Sequence, residues 1–485
     1  MADFVFIRFP IFALFAVVAG YSVLSRDPAK TNQRGFYSTV LPLYFLLTAV
    51  ILFAGSQKDP THLFMDMYFP VLLHICLYDL LLLLFLPWLR RHFSAKACSA
   101  LWLLPGILYL LEFYLLRPES PRWLLTIRGN WANYLPYIWL AGFLAVLGWK
   151  IVDHLLFRRR VLADAHPVME LSALQVWQRV LTEAGMAKSA VDLYTSPHVS
   201  TPLTLGLVRA TARVVLPHGV EYRDEDLELI LRHEVSHIAR QDAWSKFFMV
   251  FCTAACWFNP LMWVAMSQCA QDLELSCDEA VLEDASAQTR QRYARLLLNT
   301  AGSDRGFTTC LSTSAQAMRY RLRNVMDPLR RRSGAVLVGL LCFALLTTAG
   351  HTALAYGSRS GADVLYHGGK RYYPVQTVSL SGDNGYRISY QTYEYFDPQL
   401  LQDYLSTLTF SRMTGDLLPP RDEAEHIFSC RFLTQEDACE LNIYDKYATL
   451  WFNFPSDSMS CTYYYLPDGV DWSHLRAILE RRVSE

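Results

Sequence analysis

The sequence predicts a mostly α membrane protein: a multi-span helical bundle, a globular unit inserted among the spans, and a small α+β domain at the C-terminal end. Three observations carry this. Hydrophobic residues make up 52% of the 485 residues, above the soluble norm, and the excess lies in long runs. Between 158 and 333 most of the sequence becomes mixed polar and apolar, with helical and strand periodicity. From 358 it is rich in Tyr, Phe and Gly with strand-like stretches such as CELNIYDKYATLWFNF, followed by a closing helix WSHLRAILERRV. A chain of this length is expected to fold as more than one unit. Its net charge of -1 offers no basic stripe for phosphates, so nucleic acid is not a direct partner.

The first apolar run, residues 4–24, has Arg8 as its one full charge and lacks the basic start and small-residue cleavage site of a signal peptide. It reads as a retained span. Runs at 36–55, 68–89, 97–116 and 132–156 are each long enough to cross about 30 Å of hydrocarbon, so residues 1–157 form a region of about five spans. Basic residues set the orientation. Arg26, Lys30 and Arg34, then Arg90, Arg91 and Lys96, then Arg158, Arg159 and Arg160 fall on one side if every run crosses, and that side is cytoplasmic. The loop with Arg117, Arg122 and Arg128 falls outside and runs against this trend. A last span, 334–357, is held at its start by Arg330, Arg331 and Arg332, which leaves 358–485 outside.

Residues 158–333 are expected at the cytoplasmic face. MELSALQVWQRVLTEAGM has helical periodicity, and TPLTLGLVRATARVVLP, 201–217, suits a strand that could serve as the rail for an extended substrate. RDEDLELILRHEVSHIARQD reads as a helix, with Asp224 as its cap and Glu225, Asp226 and Glu228 near its positive end. On a helix, His233 and His237 lie one turn apart on one face and can share a cation, while Glu234 flanks them where a general base would stand. Catalytic zinc of this type takes a third protein ligand. CAQDLELSCDEAVLED supplies Glu274, with Asp278 one turn further on as a carboxylate to orient a ligand histidine.

The order PLTLGL…VVLP, HEVSH, WFNPLMW, ELSCDEAVL, RYARLLL, set after several spans, resembles the membrane metallopeptidases of the β-lactam sensor-transducer (antirepressor) family over residues 1–357. The resemblance implies a zincin-like, gluzincin metallopeptidase domain in a bacterial plasma membrane. It implies zinc held by His233, His237 and Glu274, with Glu234 as general base. It also implies a winged-helix repressor as substrate. One departure is plain: the family's antibiotic sensors carry a penicillin-binding outer domain with Ser-x-x-Lys, and 358–485 has no such motif and is too short for that fold. The ligand of this tail is open, as is the oligomeric state.

Other residues near the motif have plainer readings. Asp242 is expected to be exposed at the helix end. Tyr293 is read as packing on an amphipathic helix, and Cys252, Cys256 and Cys277 as packing in an apolar core. The apolar run 247–266 contains Asn259-Pro260 and is read as an embedded hairpin, since a crossing would separate His233 from Glu274. In the tail, Cys430, Cys439 and Cys461 would allow one disulfide.

Two functions remain. One is an integral-membrane zinc endopeptidase that cleaves a regulatory protein in response to an extracytoplasmic signal. The other is a non-enzymatic transmembrane receptor or scaffold with a structural metal site. The intact Glu234 favours the first, because a structural site needs no general base.

Overall fold

The computed structural model describes residues 2–24, 41–47, 60–112, 123–127, 129–187, 191–207, 211–300, 315–326, 331–349, 351–367, 370–371, 373–382, 389–393, 396–414, 424–433, 438–453 and 459–481. The described chain is mostly helical with a β-sheet C-terminal region. It divides into two compact units, one gathering 1–54, 71–116 and 139–349, the other 55–70, 117–138 and 350–485.

Two helical stretches are long and apolar enough to cross a membrane, Pro60–His92 and Asn130–Leu162; their parts from 71 and from 139 onward belong to the first unit. Three shorter apolar helices lie at Arg8–Leu24, Ala95–Leu108 and Ala335–Thr348. Most of the expected run 36–55 falls outside the described residues, apart from a helix at 41–47. The run 97–116 is not one helix: an α-helix at Ala95–Leu101 gives way to a 3-10 helix, Leu104–Glu112. Pro105 explains the change, since it has no N–H to continue the α ladder. The run 334–357 is likewise divided. Its helix ends at Thr348, and Thr352–Ser360 is a strand. Ala353, Leu354, Ala355 and Tyr356 are buried, so this all-apolar stretch is a central strand, which hydropathy alone cannot tell from helix.

The first and last of these helices approach closely. A Cβ on Gly20 would stand 2.7 Å from the Ala335 carbonyl oxygen, and one on Gly339 would stand 2.9 Å from that of Ala16. Small residues at such a crossing let backbones meet, the usual means by which apolar helices associate without water to drive them.

The remainder of this unit holds a four-stranded sheet of β2 (His166–Pro167), β3 (Asp192–Ser196), β5 (Arg213–Pro217) and β4 (Leu203–Leu205), in the order β2-β3-β5-β4. Helices Leu171–Glu183 and Asp224–Arg240 pack on it through Val176, Trp177, Val180, Leu227, Ile230, Leu231 and Val235 against Leu193, Val214 and Leu216. The single strand expected over 201–217 is two, β4 and β5, paired antiparallel. Gly206 makes this possible: its φ is +115° and a Cβ there would meet the Thr211 carbonyl at 2.5 Å. β5 is enclosed by β3 and β4, with Val214 and Val215 fully buried. The sheet edge is therefore β4. The run 247–266 is two helices, Asp242–Ala255 and Pro260–Val281. Asn259 caps the second by accepting from the Leu261 N–H, with Pro260 in the first turn where its missing donor costs nothing.

The second unit is built on a nine-stranded sheet. β1 (Trp123–Ile127) pairs parallel with β6 (Thr352–Ser360). β11 (Thr409–Met413), β15 (Met459–Tyr465), β14 (Tyr447–Asn453), β13 (Ala438–Tyr444), β12 (Ile427–Leu433), β9 (Tyr373–Gly382) and β10 (Ser389–Tyr393) follow antiparallel in that order. Leu401 and Leu405 of helix Pro398–Thr407 and Leu475 of helix Trp472–Glu480 close its core. No disulfide joins the tail cysteines: Cys430, Cys439 and Cys461 are all free. Cys430 is opposite Leu441 and Cys439 opposite Phe432, so the two buried thiols are diagonal neighbours about 7–8 Å apart, beyond the reach of a disulfide.

The crossing at Gly20 and Gly339 is directly testable. Gly339→Leu should destabilise the detergent-solubilised protein by about 1–3 kcal/mol, seen as a lower thermal aggregation temperature. Gly148→Ala, at a helical glycine with open space around its Cβ direction, should not. Equal stability of the two variants would show that the close approach is not made.

Candidate metal centre

The motif helix, Asp224–Arg240, starts with Asp224, Glu225 and Asp226 in its first turn. Arg223, and not Asp224, occupies the cap position and makes no side-chain cap bond. The three acids still favour the helix by facing its positive end. At the other end Gln241 turns left-handed, φ 56° and ψ 40°, which costs a non-glycine residue roughly 1–2 kcal/mol. This turn starts the next helix at Asp242 and returns its side chain to the motif: Asp242 Oδ2 lies 2.7 Å from His237 Nδ1. Asp242 is completely buried. The exposed helix end expected for it is wrong, because the αL residue is a glutamine and gives the sequence no helix-break signal.

His233 and His237 turn their Nε2 atoms toward each other at 3.2 Å. Glu274, from helix Pro260–Val281, places Oε2 3.4 Å from His233 Nε2 and Oε1 3.6 Å from His237 Nε2. The structure thus brings together His233, His237 and Glu274. Asp278 stands behind them, though not in direct hydrogen bond: its Oδ1 is 3.5 Å from His233 Nδ1. Tyr293 bridges the gap. Its hydroxyl donates to Asp278 Oδ1 at 2.7 Å and lies 2.8 Å from His233 Nδ1. Reading Tyr293 as packing alone is therefore incorrect. Arg321 fixes Asp278 in turn, donating from Nε and NH2 at 2.8 Å each.

These bonds decide the histidine tautomers. Because the Tyr293 proton goes to Asp278, its oxygen accepts from His233 Nδ1–H; Asp242 accepts from His237 Nδ1–H. In the neutral form, each Nε2 then holds a lone pair directed at the other and at the Glu274 oxygens. Such an arrangement is stable only around positive charge. Donor atoms of a tetrahedral zinc site at about 2.0–2.1 Å from the metal lie about 3.3 Å from one another, and the separations of 3.2, 3.4 and 3.6 Å fit this.

The electrostatics agree. Burial would depress both imidazoles, but Cys277 and Glu274 outweigh it, raising His233 to about 10 and His237 well above its usual value. Burial also opposes ionisation of Glu274, yet His237 and Lys246 hold its carboxyl well below the usual range. Lys246 Nζ is 3.3 Å from Glu274 Oε1. For Asp242, burial is overcome by Arg240 and His237, so it stays a carboxylate.

Two further residues face the centre. Thr204, on the edge strand β4, donates from Oγ1 to Glu234 Oε2 at 2.7 Å, and Glu234 is otherwise buried. Cys277 is not core packing: its Sγ and nitrogens of His233 and His237 all lie within 4.8 Å of one another, a group able to hold a metal ion. Beside β4 and Lys246 opens a mainly apolar cavity of about 390 Å³, lined by Leu205, Leu207, Phe247, Val250 and Met266 among others.

Residues 124–325 match the BlaR1 peptidase M56 family. Over 262 residues the chain is 24% identical to the regulatory protein BlaR1 of Bacillus licheniformis, covering 47% of this chain and 43% of that protein. Over 114 residues it is 29% identical to the methicillin resistance mecR1 proteins of Staphylococcus aureus and Staphylococcus epidermidis, covering 23% of this chain and 19% of those. The aligned part is thus less than half the length of these relatives. The motif helix, β4 and the residues Glu274, Tyr293 and Arg321 all lie inside the matched segment, so the match to an M56 peptidase domain and the likeness to BlaR1 and mecR1 support a BlaR1-like sensor-transducer family member.

Proposed function

We propose that the chain is a multi-pass integral-membrane zinc endopeptidase that cleaves a regulatory protein, of the transcriptional-repressor kind, in response to an extracytoplasmic signal. The observation that carries this reading is the convergence of His233 Nε2, His237 Nε2 and both Glu274 oxygens on one point, beside a glutamate on the same helix turn. His233, His237 and Glu274 would hold the zinc. When bound, it would polarise the scissile carbonyl and lower the pKa of the attacking water.

Glu234 takes the proton of that water and passes it to the leaving amine. Thr204 holds Oε2, so Oε1 is the oxygen that receives the proton. Asp242 and the pair Tyr293–Asp278 keep the imidazoles in the tautomer and orientation that ligation needs. An extended substrate laid along β4 gains backbone pairing at a sheet edge and brings a peptide bond to Glu234.

The division of the chain supports the orientation read from its charges. Segments 55–70, 117–138 and 350–485 form one unit, and these contain the three segments that the distribution of Lys and Arg assigns to the outside. The loop 117–128 supplies β1 to the same sheet as the tail, so the two share one side.

Three outcomes test the reading. Glu234→Gln should abolish proteolysis while about one zinc per chain is kept. His233→Ala or Glu274→Ala should lose proteolysis and most of the zinc, because each removes one of the side chains that hold the ion. Full zinc occupancy in a His233→Ala, Glu274→Ala double variant would refute the ligand set. For the residues behind the ligands, Tyr293→Phe and Asp242→Asn should each weaken zinc binding roughly 10–100-fold, read by competition with a chromogenic chelator. Unchanged affinity in both would mean that the tautomers are set elsewhere. For topology, a membrane-impermeant thiol reagent applied to intact cells should label Ser473→Cys and spare Ala163→Cys, both exposed positions. The reverse pattern would invert the orientation.

A further inference from the structure

Cys277 lies three residues after Glu274 on helix Pro260–Val281, so both side chains leave the same face. Its side chain is fully buried, and its sulfur shares a 4.8 Å cluster with nitrogens of His233 and His237. The thiol donates to the carbonyl oxygen of His233 at 3.3 Å. Other buried cysteines, such as Cys252 and Cys269, have no place in that cluster. A sulfur is a stronger partner than a carboxylate for a borderline-soft dication, and two imidazoles, a thiolate and a carboxylate make a complete tetrahedral donor set.

We propose that Cys277 is a fourth protein ligand of the resting metal centre, which holds a thiophilic divalent cation through His233, His237, Glu274 and Cys277. The inference rests on the metal reading above and extends it. In binding, the thiol loses its proton to solvent. In leaving, the sulfur takes a proton back from solvent and, as a thiol, donates a hydrogen bond to the His233 carbonyl oxygen, the partner it has here. A centre with four protein ligands has no position left for water, so the sulfur must leave before a peptide bond is cut. Cys277 thereby makes the peptidase silent by default without any occupant from outside the site.

Cobalt(II) makes the bond visible. Full-length protein in detergent, stripped of metal and loaded with cobalt, should show the near-ultraviolet thiolate-to-cobalt charge-transfer absorption. Cys277→Ser should lose that band while keeping the visible ligand-field bands and the same cobalt content. Cadmium should discriminate between the two proteins, with wild type preferring it over zinc at least roughly tenfold more strongly than the serine variant. Should Cys277→Ser fold poorly, alkylation of wild type by iodoacetamide serves instead: the Cys277 peptide should react at least roughly tenfold more slowly in cobalt-loaded than in chelator-treated protein. Cobalt bound at His233, lost in His233→Ala, with no charge-transfer band and no protection of Cys277, overturns the proposal and leaves the metal reading standing. Failure of wild type to take up cobalt at all overturns both.

Discussion

Two imidazole nitrogens 3.2 Å apart in a buried, anionic setting repel each other unless positive charge lies between them, and the structure around them makes retreat difficult. Each ring is held from behind by a carboxylate, directly by Asp242 and through Tyr293 by Asp278. Each carboxylate has a guanidinium beside it, Arg240 for Asp242 and Arg321 for Asp278. The charges thus alternate outward from the centre, and removing any one layer leaves the next buried without its partner. Breaking such a buried pair costs about 3–5 kcal/mol, which is why the frame holds the two rings in place.

The position of Glu274 depends on a different set of bonds. Helix Pro260–Val281 carries Glu274 and Asp278 toward the motif, and on its other sides it is fastened to the apolar helices. Asp272, fully buried, accepts from Arg90 Nε at 2.7 Å and from Trp102 Nε1 at 2.8 Å. Glu279 accepts from the Ala95 N–H at 2.9 Å and from Arg331 at 3.1 Å. Asp272 and Glu279 bracket Glu274 within two turns. The register of the Glu274 helix is therefore set by side chains whose partners belong to helices Phe69–His92 and Ala95–Leu101, the indole after the latter, and the segment just before the last apolar helix.

What the sequence discloses and what it conceals divide along a physical line. His233, Glu234 and His237 are legible because one helix fixes their mutual geometry, and Glu274 because a catalytic zinc site needs a third protein ligand, a carboxylate or a histidine, from elsewhere in the chain. Tyr293 and Arg321 come from separate helices, and nothing in an amphipathic pattern tells a tyrosine that packs from one that also bonds to a ligand. Asp242 was hidden by a left-handed glutamine, and Cys277 by its apolar company. The fold shows the same limit. The long apolar stretches were legible as helices, but the run after Thr348 became strand β6, since burial on both faces of a sheet gives the same hydropathy as a span. The halt at Pro105 in the run 97–116 could have been read from the proline itself.

The pairing of β1 with β6 limits the topology more tightly than charge does. Strand partners cannot form across a bilayer, so 123–127 and 352–360 must share one side. The chain between them then crosses an even number of times. Helix Leu135–Leu162 and the last apolar helix, Ala335–Thr348, supply two crossings if both span. Any crossing by the helices Asp242–Ala255 and Pro260–Val281 must therefore come as a pair. A single passage there is also refused by the centre itself, because His237 before the turn at Asn259 and Glu274 after it lie 3.6 Å apart. A sheet contact and a 3.6 Å side-chain contact thus impose the same parity on any path the chain takes through a membrane.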